Sequence, residues 1–170
     1  MRIRSLAVAV TATVVGVGLA LPGAASAATG TKVGTVGVGR AGDSVLGDVV
    51  TLTNTQRRTH GCRALAVNRT LTAVAGAYSR DMAVRGFFGH VNPDGKSPFD
   101  RMRAAGYRYS SAAENIAAGY STPQAVVTAW MNSPGHRANI LNCSLTQIGV
   151  GYATGGHYGS YWTQDFGTPR

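Results

Sequence analysis

The sequence predicts an α+β domain in which helices pack against a mixed sheet. Two observations lead there. Up to about residue 140, apolar residues recur at helical spacing in several segments, each bounded by a capping residue and a Gly or Pro. Strand-like runs come late, at residues 149–153 and 158–166, separated by the turn sequence TGGH. Helices early and strands late is the order of an α+β layer structure, and no internal repeat competes with that reading.

Residues 1–27 have the layout of a secretory signal peptide. Arg2 and Arg4 lead, residues 6–21 are apolar and uncharged, and Ala25, Ser26 and Ala27 form a small-residue cleavage site. A membrane span needs about 20 apolar residues. This run is shorter and ends at Pro22 and Gly23, so no membrane span is expected and the protein is read as secreted. Cleavage after Ala27 leaves 143 of the 170 residues, enough for one domain with its own core. Residues 28–43 are rich in Gly and Thr and read as a flexible spacer. Gly37, Gly39 and Gly42 make a formal G-x-G-x-x-G there, but no acidic residue follows at the distance a dinucleotide site requires.

The folded domain is assigned to residues 44–170. Val45, Val49, Leu52 and Gln56 give a helix over 44–59, opened by Asp43 or Ser44 and ended by Gly61. A second helix spans 69–85, capped by Asn68, with Leu71, Val74, Ala75, Tyr78 and Met82 as its buried face and Gly86 as its stop. GFFGHVNPDGKS is a loop with a Pro-Asp-Gly turn. Ser97 and Pro98 open a short helix to Ala105, and Thr122 and Pro123 open another to Asn132, burying Val126, Val127 and Trp130. Ser133 and Pro134 start one further short helix.

The formal net charge is +9, of which Arg2 and Arg4 contribute two. Arg57, Arg58, Arg63, Arg69, Arg80, Arg85, Arg101, Arg103 and Arg108 are spread over several helices and read as solvated surface. Such a surface is attracted to anionic cell-wall polymers or lipid headgroups. No recognition module accompanies the charge, so no specific nucleic acid is expected, and the chain is read as a monomer. Cys62 and Cys143 are the two cysteines; in an exported protein an even count reads as one disulfide, against the competing readings of buried thiols or a zinc pair.

Four histidines are candidates for chemistry. His60 sits at a helix end and His157 in a Gly-rich turn, without suggestive neighbours. His90 closes a hydrophobic approach to a polar loop, and His136 opens a helix. With Glu114, the one glutamate in the chain, they form a possible His2Glu set of the kind that holds Zn²⁺ with an open position. Their separations fit no local metal signature, so structural hydrogen bonding competes with that reading. Ser133 lies three residues before His136, but it is read as a helix N-cap, since no nucleophile elbow surrounds it.

GFFGHVNPDGKSPFDRM, ENIAAG, AWMNSPGHRANIL and IGVGY followed by YWTQDFG occur in this order over about residues 45–167. Together they strongly resemble the bacterial branch of the CAP superfamily, the cysteine-rich secretory, antigen 5 and pathogenesis-related 1 proteins, also called SCP domains. The resemblance implies a three-layer α/β/α sandwich with a central cleft. It implies that two His and two acidic residues line the cleft, binding zinc or another divalent cation in some members. By motif these are His90, Glu114 and His136, while the second acidic position falls at Ser133. That departure leaves Glu114 as the expected sole carboxylate of the cleft.

The expected function is therefore a secreted single-domain protein that binds a lipid, peptide or cell-wall fragment in a cleft floored by His90, Glu114, Ser133 and His136. No cofactor is required; a divalent cation such as zinc would be held by His90 and His136. Asn115 and Asn139 are expected to hold backbone geometry. The alternatives are a metal-assisted or His/Glu acid–base hydrolase using Glu114, His90 and His136, and a purely structural cluster. The resemblance transfers no catalytic mechanism, and the ligand-binding reading is preferred to the enzymatic one.

Overall fold

A computed structural model describes residues 41–170; the segments expected to be a signal peptide and, up to residue 40, a spacer lie outside the described residues. The elements are α1 (Ala41–Thr59), β1 (Ala66–Val67), α2 (Arg69–Arg85), α3 (Pro98–Ala104), β2 (Tyr109–Ala118), α4 (Pro123–Asn132), α5 (Pro134–Ile140), β3 (Gln147–Gly155) and β4 (Gly159–Pro169). The α+β class and the helices read from sequence hold. Asn68 caps α2 through a bond from the Leu71 amide, and Gly86 closes it in the left-handed region at φ 69°. Ser97 and Asp100 form a reciprocal capping box at α3, and Thr122 accepts from the Ala125 amide at α4.

Several limits differ, and β1 is not among the expected strands; α1 and β2 differ most. Helix α1 starts at Ala41, so Asp43 and Ser44 lie inside it rather than capping it. The ten-residue strand β2 has no counterpart in the sequence reading. Its sequence, YSSAAENIAA, is poor in β-branched residues, and Ala, Asn and Glu are weak strand formers. It becomes a strand by pairing antiparallel along β4 from Tyr109 to Ala118.

The sheet order is β1-β3-β4-β2, with β1 parallel to β3 and the remaining pairs antiparallel. Residue alternation along β4 divides the core. Trp162 and Phe166 join Val49, Val126, Val127, Trp130, Ile140, Ile148 and Val150 in the layer formed by α1, α4 and α5. Tyr161 faces Tyr78, Met82 and Ile116 in the layer under α2, and Leu71, Val74, Met102 and Tyr107 extend that layer beneath α3. Each of the large buried apolar side chains contributes about 1.5–3 kcal/mol relative to exposure. On β3 the α2-facing positions are Gly149 and Gly151, which lets the helix backbone lie directly on the strand.

Arg57 departs from the surface reading. It is 1% exposed and donates to the backbone carbonyls of Arg63, Ile140, Asn142 and Leu145. Burial pushes its pKa down from the ordinary value. The Cys62–Cys143 disulfide links the same two regions.

Candidate functional site

β2 is an edge strand, and the site is built around it. Its Glu114 and Ile116 carbonyls accept from Asn139 Nδ2 (3.2 Å) and Trp130 Nε1 (3.1 Å). Side chains from α4 and α5 thus cover polar groups that an open edge would expose. Asn115 Nδ2 donates to the His136 carbonyl (3.2 Å) and to Gln164 Oε1 (3.1 Å), and its Oδ1 accepts from Asn139 (2.9 Å). Asn115 and Asn139 therefore hold backbone geometry, as their motif positions suggest.

Glu114 projects to the α2 side of the sheet, with a side chain 2% exposed. One oxygen accepts from His90 Nδ1 at 2.7 Å, and the other from Arg101 Nη2 at 2.5 Å. Because a carboxylate accepts, His90 carries its proton on Nδ1 and turns Nε2 outward; its ring is 48% exposed. Arg101 is 13% exposed and also donates to the carbonyls of His90 and Lys96, each at 2.9 Å. Its guanidinium lies 3.2 Å above the ring centroid of Tyr78. The Tyr78 hydroxyl donates to the Gly89 carbonyl, and burial is the main cause that pushes this phenol up to about 12. The loop bearing His90 is therefore held from below by α2 and from the side by α3.

Asp165 lies opposite Glu114 across the β2–β4 ladder and is fully buried, with neither carboxyl oxygen hydrogen-bonded. Burial raises its pKa well above the ordinary carboxylate value, and the neighbouring Glu114 charge raises it further. Both causes favour the protonated form of Asp165, and it is Glu114 that meets Arg101. Asp165 thus adds a second carboxyl beside Glu114, in the core rather than in the cleft. The sequence signal was an aspartate inside the apolar strand run YWTQDF, facing the same layer as Tyr161 and Thr163.

His136 and Ser133 come from the α4–α5 junction and line a cavity of about 380 Å³. Phe88, Tyr120, Trp130 and Tyr158 form its aromatic walls, and the Phe88 and Tyr158 rings meet at 5.8 Å between centroids. Ser133 occupies the N-cap position of α5 but makes no capping bond with its side chain, which corrects its reading as an ordinary cap. Half-burial lowers the His136 pKa, and the charge of nearby His90 lowers it further, which favours the neutral imidazole. A separate hollow of about 530 Å³ between α2 and α3, lined by Ala73, Ala77, Ala105 and the back of Arg101, contains none of the histidines.

The donor set does not make a His2Glu metal centre. Both Glu114 oxygens are taken, one by a fixed guanidinium, and Asp165 is sealed in the core. Among the described residues no group of three or more His, Cys, Asp or Glu is disposed to hold an ion. Arg101 and Tyr78 carry no signal in the sequence that marks them as site residues. Arg101 sits in PFDRM, where nothing in the local pattern distinguishes it from the other helix arginines.

The model of the Cysteine-rich secretory protein family (CAP) matches residues 50–166. The uncharacterized protein YkwD of Bacillus subtilis is 50% identical over 118 residues, 69% of this chain and 45% of its own length. The uncharacterized membrane protein YlbC of the same organism is 36% identical over 118 residues, 69% of this chain and 33% of its own length. The chain thus spans less than half the length of either relative. Among solved structures, an extracellular protein containing an SCP domain from Bacillus anthracis superposes with a TM-score of 0.67 at 33% identity, over 74% of this chain and 41% of that one. An outer surface protein of Borrelia burgdorferi, at 21% identity, shares the fold with a TM-score of 0.69 over 75% of this chain and 94% of its own.

Proposed function

Because this chain belongs to the Cysteine-rich secretory protein (CAP) family, we propose that it is an exported CAP-domain protein that binds a ligand at the outer edge of β2. The carrying observation is the 380 Å³ cavity, in which the Ser133 hydroxyl and the His136 imidazole are the polar groups within aromatic and small apolar walls. A concave apolar site with a few convergent polar groups is the usual form of a small-ligand pocket. It suits an amphipathic ligand: an acyl chain, or the apolar part of a peptide or cell-wall fragment, against Phe88, Tyr120, Trp130 and Tyr158, with a polar group at Ser133 and His136. Export is supported by the signal-peptide pattern, by the Cys62–Cys143 disulfide, and by the extracellular description of the Bacillus anthracis relative. No helix in the described residues is long and apolar enough to cross a membrane.

The test is titration of the protein with a fluorescent fatty acid and with soluble muropeptides. Ser133→Ala and His136→Ala should keep the fold by circular dichroism and weaken binding about tenfold, the loss of one good hydrogen bond. If both variants bind as the parent does, the site assignment is wrong.

One observation favours a hydrolytic reading. His90 Nδ1 on Glu114 with Nε2 turned outward is the arrangement of a carboxylate-oriented general base. It requires turnover of a peptide or wall substrate that disappears in Glu114→Gln. The absence of turnover across a broad panel leaves the binding function.

A further inference from the structure

We infer that Arg101 is the resident cation of this cleft: its guanidinium holds the position of positive charge that a metal ion would otherwise occupy against Glu114, and the cleft works without a divalent ion. This goes beyond the ligand-binding reading and does not depend on which ligand is bound.

Three independent features carry it. First, Arg101 is held at both terminal nitrogens and on one face, while its Nε is buried without a hydrogen-bond partner. Nη2 meets Glu114 Oε2 at 2.5 Å, Nη1 meets the carbonyls of His90 and Lys96, and the guanidinium plane rests on Tyr78. A group so held is part of the framework, unlike a lysine ammonium on a flexible stem. Secondly, each Glu114 oxygen is already engaged, one by Arg101 and the other by His90 Nδ1. Thirdly, the second acid is in the wrong place to add charge. Asp165 is buried beneath Glu114 rather than facing the cavity, and the position expected for the second cleft carboxylate carries Ser133. One carboxylate charge is therefore answered by one guanidinium. What faces outward is a pair of imidazoles and a hydroxyl, with a fixed positive charge behind them. An approaching divalent cation meets repulsion in a medium where screening by water is reduced. Arg101 also orients His90, because it fixes the carboxylate that fixes the ring, which makes it a positioning residue for the cleft.

The experiment is calorimetric titration of zinc at neutral pH into the parent, Arg101→Gln and Arg101→Lys, with His136→Ala as a control for the imidazole pair. The parent and Arg101→Lys are expected to show no saturable uptake at micromolar zinc. Arg101→Gln frees Glu114 and removes the positive charge, so its zinc affinity should rise by about tenfold or more, a gain that a merely structural arginine would not produce. Folding of each variant is followed by near-ultraviolet circular dichroism. Micromolar, one-to-one zinc binding by the parent that is lost in His136→Ala overturns the inference, whether or not Arg101→Gln folds. So does a folded Arg101→Gln with zinc affinity no higher than the parent. Either result leaves the fatty-acid and muropeptide titrations untouched, so the two readings fail separately.

Discussion

Asp165 shows how a single buried side chain resets the reading of a site. Its oxygens have no partner, and Glu114 stands across the ladder from it. A carboxyl in that position keeps its proton in the folded state above the pH, about 4, at which the unfolded chain releases it. The folded protein then binds more protons than the unfolded one, so this group's contribution to stability falls as pH rises from about 4 toward the folded value. Asp165→Asn mimics the protonated acid. In denaturant unfolding from about pH 4 to 7 it should flatten that slope and leave neutral-pH stability equal to the parent or higher. A loss of more than about 1 kcal/mol at neutral pH would mean that Asp165 acts as a charged partner of Arg101 instead. His136 carries the opposite sign. Its lowered pKa means that the unfolded chain takes up the proton first on acidification below about 6.5, and stability falls. Its ring signals should titrate with a midpoint below 6.5, and the midpoint should move up in His90→Ala, which removes the secondary cause of the shift.

Elements divide into those whose signal is local and those formed by contact. Helix α2 is local: cap, apolar face and left-handed stop are all in the sequence, and all appear in the structure. Strand β2 is the reverse. Ala, Ser, Glu and Asn have little strand preference of their own, and the segment is extended because β4 pairs along it while Trp130 and Asn139 cover its free edge. The β3 glycines are also legible only in contact. A Cβ at Gly151 would lie 2.2 Å from the Ala75 carbonyl carbon, and one at Gly149 would lie 2.1 Å from the Leu71 carbonyl carbon. Gly151→Ala should therefore lower stability by about 1–3 kcal/mol, as overpacking does. Gly47→Ala, in helix α1 with nothing near its Cβ, should raise it by about 0.4–1 kcal/mol. Urea denaturation of the two variants separates a close backbone approach from an ordinary helical glycine.

Over the whole molecule, the end of α1 is tied to the segment after α5 in two ways. Arg57 gathers carbonyls of Ile140, Asn142 and Leu145, and the disulfide joins Cys62 to Cys143 across 81 residues. Reduction of that disulfide should cost roughly 4.5 kcal/mol by loop-closure entropy, read as a shift in the denaturation midpoint with and without reductant. Arg57→Ala should cost about 3–5 kcal/mol, the range for breaking a buried charged network. A loss under about 0.5 kcal/mol would place it with ordinary surface substitutions.

By itself the sequence determined the class of the fold and most helix limits, and it pointed to one disulfide and to His90, Glu114 and His136 as candidate residues. Those properties rest on periodicity, capping chemistry, residue count and ordered motifs, all of which are written along the chain. Only the tertiary structure decided what Glu114 touches. Arg101 lies 13 residues before it, and Asp165 reaches it only through strand pairing. Nothing in either segment announces the contact. The charge of a site is the sum over groups brought together by packing, and burial, which sets whether each is ionised, exists only once the layers have closed.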